Sequence, residues 1–146
     1  MLSWQRSSDG LVPTDAVLGG KSSEGEPLYI GRTYHEGGLI PGKIVPSHGA
    51  LLIPIGGLEV SCLDYECLAM PASSFEWVAV ENGDVTANAV LGGTSSEGET
   101  LFVGRAYCEG DLIVGKIQPS HRCLYIAYGG EEVAISSYEV LQYKEK

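Results

Sequence analysis

Lysine is scarce inside this chain: before residue 144 only Lys21, Lys43 and Lys116 occur. Lys43 and Lys116 each follow a glycine and precede an isoleucine, 73 positions apart. A glycine beside a functional side chain lets a ligand come close to the backbone. Glu24 and Glu97 recur at the same spacing, each in an identical "SSEGE" stretch in which Ser22 and Ser95 stand two residues earlier. An ammonium donor and a carboxylate acceptor on neighbouring loops suit vicinal sugar hydroxyls, because every hydroxyl both donates and accepts. The competing reading makes the lysines solvated charges and the glutamates ordinary turn carboxylates.

Other chemistry is poorly supported. His48 and His121 recur within "PSH", but His35 is replaced by Cys108 in the second occurrence, and His35 and His48 are 13 residues apart, which fits no standard ligand spacing. No metal or other cofactor is expected. There is no GxSxG, and "GGKSSEGE" lacks the spacing of a phosphate-binding loop. Paired carboxylates for glycoside hydrolysis stay open, since only the fold sets their separation. The expectation is a protein that is not an enzyme. Cys62, Cys67, Cys108 and Cys123 form no CxxC pair, and a non-thiol stands at each equivalent position of the other occurrence, so free thiols are expected.

The elements that must position these residues are themselves duplicated. Shifting the chain by 73 positions aligns Ala16–Leu68 with Ala89–Leu141 without a gap, and 33 of the 53 positions are identical. Trp4 falls on Trp77, and "GKIVPSH" on "GKIQPSH". Two copies are too few for a solenoid, and each alone is marginal in size, so a pseudo-twofold pair sharing one core is expected. The expected division is a first repeat over 1–70, a linker over 71–76 and a second repeat over 77–146, forming one unit. Within a copy the signals are β. "PLYIGRTY" alternates, while "ALLIPI" and "CLYIAY" are short apolar runs ended by Gly-Gly. The reading is all-β: short antiparallel strands in two tandem, pseudo-twofold-related repeats.

A formal charge of −10 argues against nucleic acid and anionic membrane surfaces as partners. No run approaches the length of a membrane span, and "MLSWQRSSDG" lacks the features of a secretory signal. A cytoplasmic location is the default expectation, with unconventional export open.

Taken together, the paired tryptophans, the Gly-Gly pairs at 19–20 and 92–93, Gly31-Arg32 and Gly104-Arg105, Gly42-Lys43 and Gly115-Lys116, and the closing "YECL" and "YEVL" resemble the DM9 repeat, twice, across nearly the whole chain. The resemblance implies a pseudo-symmetric all-β fold, a homodimer, and calcium-free recognition of mannose-containing glycans on microbial surfaces. In the mannose-binding lectins of this type the sugar meets an acidic residue in the loop after the Gly-Gly, and the lysine of the Gly-Lys turn. The lysines here are Lys43 and Lys116. The loop positions are Ser22 and Ser95, with Glu24 and Glu97 as the nearest carboxylates. The alternative is a non-catalytic structural or protein-interaction module with no sugar site.

Overall fold

The computed structural model describes residues 2–144, so the outermost ends of the two expected repeats, residues 1 and 145–146, lie outside the described residues. The first half runs β1 (Ser3–Ser8), β2 (Leu18–Lys21), β3 (Pro27–His35), β4 (Gly38–Val45), β5 (Ala50–Ile55), β6 (Leu58–Cys62) and β7 (Asp64–Ala69). The second repeats it: β8 (Phe75–Glu81), β9 (Leu91–Thr94), β10 (Thr100–Cys108), β11 (Asp111–Gln118), β12 (Cys123–Tyr128), β13 (Glu131–Ile135) and β14 (Ser137–Tyr143). The stretch expected as linker holds a 3-10 turn at Ala72–Ser74 and the first two residues of β8.

All strand pairings are antiparallel, and they close into a barrel. In each half the third to sixth strands form a meander, β3–β4–β5–β6 and β10–β11–β12–β13. The meanders meet where β6 pairs with β13, through Leu58 and Glu131. On the other side the short strands cross over. β2 lies between β3 and β11, and β9 lies between β10 and β4. The Gly-Gly pairs permit this crossing: a Cβ on Gly20 would collide with the Leu112 carbonyl, and one on Gly93 with that of Leu39. The first and last strands of each half form outer arms, β1–β7 on β3 and β8–β14 on β10.

The halves share a core of Val17, Ile30, Leu68 and Met70 with Val90, Val103, Val114 and Leu141, flanked by a cluster centred on each half, the first of which takes in Leu101 of the second. Around it an arginine of each half crosses to the other. Arg32 donates to Glu66 at 2.8 Å and to the Gly92 carbonyl at 3.2 Å, and its guanidinium lies 4.0 Å over the Trp4 ring. Arg105 does the same with Glu139 at 2.7 Å, Gly19 at 3.0 Å and Trp77 at 4.0 Å. Charge-assisted bonds plus stacking suit a planar guanidinium and not an ammonium. The repeated Trp, Gly-Arg and Gly-Gly are thus parts of one device that joins the halves.

The four cysteines are free thiols. Among the described residues no helix is long and apolar enough to cross a membrane.

Candidate functional site

Lys43 sits on β4 opposite Leu52 of β5, and Lys116 on β11 opposite Tyr125 of β12. Both strands are buried along most of their length, so the lysines are buried too, at 8% and 3% exposure. A buried ammonium needs a counter-charge. Lys116 Nζ lies 3.0 Å from Glu132 Oε2, and Lys43 Nζ lies 3.4 Å from Glu59 Oε2. The other oxygen of each carboxylate crosses to the opposite half. Glu132 Oε1 accepts from the Gly57 amide and Glu59 Oε1 from that of Gly130, both at 2.9 Å. Each acid therefore holds its own lysine and, at the same time, the other half's hairpin tip.

Aromatic faces complete the lysine environment. Lys116 Nζ lies 5.4 Å from the centre of the Tyr125 ring, and Lys43 Nζ lies 5.8 Å from that of Tyr128. These are cation–π distances. Tyr125 comes from the lysine's own half and Tyr128 from the other. Desolvation first, then neighbouring Cys123 and Glu132, push the Tyr125 phenol up to about 12, so it stays protonated. Its hydroxyl is 2.9 Å from His121 Nδ1. With one carboxylate and one ring as protein partners among the described residues, each three-donor ammonium keeps capacity for a ligand.

Lys116 and Glu132 line a cleft of about 280 Å³ between the halves, together with Tyr125, His121, Ser95 and Glu97 of the second half and Ile40, Ile55 and Gly56 of the first. It adjoins a cavity of about 450 Å³ bordered by His35, Glu36 and Gly38. The fold thus gathers Lys116, Ser95 and Glu97, three of the residues singled out in the sequence. Their first-half counterparts Lys43, Ser22 and Glu24 occupy the matching strands and loop.

The serines act first on their own turn. Ser22 Oγ accepts from the Glu24 and Glu26 amides at 3.3 and 3.1 Å, and Ser95 Oγ accepts from those of Glu97 and Glu99 at the same distances. Their hydroxyl hydrogens have no acceptor among the described residues. Glu24 and Glu97 are exposed.

The "PSH" phrase is the anchor of that loop. Glu99 accepts from the Ser120 amide at 2.8 Å and its hydroxyl at 2.6 Å, and Glu26 accepts from the Ser47 amide and hydroxyl, both at 2.7 Å. The Ser120 hydroxyl bond is the main reason the Glu99 carboxyl lies below the usual carboxylate range, against a smaller opposing push from burial.

Glu59, Glu132, Tyr125 and Tyr128 escaped the sequence reading. For the acids a signal existed, since Glu59 and Glu132 stand at the same repeat offset just beyond Gly-Gly. Among the described residues no group of three or more His, Cys, Asp or Glu could hold a metal ion.

The DM9 repeat model matches the chain twice, over residues 1–62 and 61–135. Among solved structures, that of the nematode sperm cell motility protein MFP2B is similar, with a TM-score of 0.70 and 18% identity over 99% of this chain. The chain spans 47% of the length of that protein, and at this identity the likeness is one of fold. No curated protein matches.

Proposed function

The chain belongs to the DM9 repeat family, and on that premise we propose that it is a non-catalytic carbohydrate-binding protein, taking sugar where each Lys–Glu pair opens to solvent. The observation that carries this reading is Lys116. It is 3% exposed yet borders a cleft, with one carboxylate partner and donors to spare. A pyranose with adjacent hydroxyls could accept from the ammonium, donate to Glu132 or Glu97, and lay a C–H face on Tyr125. Mannose is the sugar that the family resemblance implies, in a mode that needs no calcium. Two sites on one chain, doubled again in a homodimer, would raise avidity for microbial glycans without any new contact.

A glycan array, probed with and without chelator, tests this. Mannose-terminated glycans should be retained equally in both conditions. Folded protein that captures no glycan would contradict it.

A second reading also has an observation behind it. Glu59 and Glu132 each staple the opposite hairpin, so the Lys–Glu pairs could serve to join the halves of an interaction module. Lysine substitutions that leave glycan capture intact would favour that reading.

A further inference from the structure

The two lysine sites differ in what the opposite half brings to them. β2 pairs with β11 through Lys21 and Leu112, and the residue before Leu112 is Asp111. Its Oδ1 accepts from the Ser23 amide at 2.6 Å. Ser23 lies between Ser22 and Glu24, in the first-half counterpart of the loop that lines the Lys116 cleft. Asp111 is half-buried, and its second oxygen has no partner among the described residues.

At the Lys116 site the equivalent of Asp111 is Gly38, which carries no side chain. A Cβ there would lie 3.1 Å from the Ser96 amide nitrogen, so Gly38 faces the second loop as Asp111 faces the first. The aromatic partners differ as well. Tyr128, over Lys43, is matched by Ile55 in the other cleft. Ionisation of the Tyr128 phenol is opposed by desolvation first, then by Asp111, Glu109 and Cys108, as expected if those three lie beside the ring that covers Lys43. The Cys108 thiol is raised mainly by burial, with Glu109 and Asp111 pushing the same way and Lys43 opposing them.

We propose that the two sites are non-equivalent, and that Asp111 is a ligand-contacting carboxylate of the Lys43 site that makes it the tighter one for a sugar with adjacent hydroxyls. The proposal rests on the carbohydrate reading above. The free Asp111 oxygen accepts a ligand hydroxyl in a charge-assisted bond, while the oxygen held by Ser23 keeps the carboxylate oriented. Nothing at Gly38 can do this for the second loop.

The test is an NMR titration of ¹⁵N-labelled protein with methyl α-mannoside, following the amides of Ser22–Glu26 and Ser95–Glu99 separately. In the parent protein the first loop should saturate at a lower concentration than the second. Asp111→Gly, which gives the first site the composition of the second, should raise the dissociation constant read at the first loop about tenfold. The second loop should be unchanged. Asp111→Asn keeps an acceptor for Ser23 without the charge and should fall between the two. It decides the matter if the glycine variant is unfolded. Equal affinities at both loops that neither variant alters would overturn the proposal and leave the carbohydrate reading standing. No shift at either loop would overturn both.

Discussion

Glu132→Ala removes the one carboxylate that Lys116 touches among the described residues. The side chains are 4% and 12% exposed, and the charges are 3.0 Å apart. At an effective dielectric of about 20, that separation corresponds to an attraction of roughly 5 kcal/mol. Breaking a buried pair from one side costs about 3–5 kcal/mol, because the remaining charge stays desolvated. The Gly57 amide also loses its acceptor, which adds about 1 kcal/mol. The cleft lets water reach the vacated volume, which draws the sum to the low end, about 4 kcal/mol. With a urea slope of about 1–3 kcal/mol per molar, the midpoint should fall by roughly 1–4 M at constant slope. The double variant Lys116→Met/Glu132→Gln removes both charges and keeps an acceptor for Gly57, so it should recover most of the loss. Glu59→Ala should cost less than Glu132→Ala, because its lysine lies at 3.4 Å and both partners are more exposed. A loss under about 1 kcal/mol for Glu132→Ala, or a double variant no better than the single, would refute the buried-pair reasoning.

Arg105→Lys should destabilise by about 1.5–3 kcal/mol in urea melts, since an ammonium cannot keep Glu139, the Gly19 carbonyl and the Trp77 face together. Cys67, fully buried with its thiol pushed up to about 12 by desolvation, should resist iodoacetamide in the native protein while half-buried Cys62 and Cys108 react; mass spectrometry gives the order. Glu99 has a folded pKa below its unfolded one, so its contribution is complete above the ordinary glutamate value of about 4.3 and is lost as pH falls through the folded value. The Ser120 amide shift should therefore titrate with a midpoint below 4.3; a midpoint at or above it contradicts the anchor. A chain ending at residue 73 should be unfolded by circular dichroism, because its β2 lacks β11 and half of the shared core is missing.

The repeat carried most of what was legible. The alternation of "PLYIGRTY" and the short apolar runs ended by Gly-Gly announced the meanders, and an offset free of gaps announced two equal halves around a common core. What stayed hidden depends on the crossing of those halves. A gapless tandem copy suggests two contiguous units, whereas β2 and β9 each bridge to the opposite one. Lys43 and Lys116 stood out by scarcity and repetition, but their acids lie 16 residues along the chain and meet them only where β6 joins β13. Ser22 and Ser95 were legible as loop residues, while their use in holding their own turn is a matter of Oγ geometry. Asp111 and Tyr128 were invisible for a different reason. Repetition highlights what the halves share, and these two are what the halves do not share.

The proposed function requires that sugar bind at the two lysines. Calorimetry with methyl α-mannoside in EDTA, comparing the parent protein with Lys43→Met/Lys116→Met, tests it most directly. Methionine fills the space of the lysine stem and removes its donors. The parent should bind in EDTA, and the folded double variant should bind at least tenfold more weakly. A folded double variant that binds as tightly as the parent would contradict the proposed function.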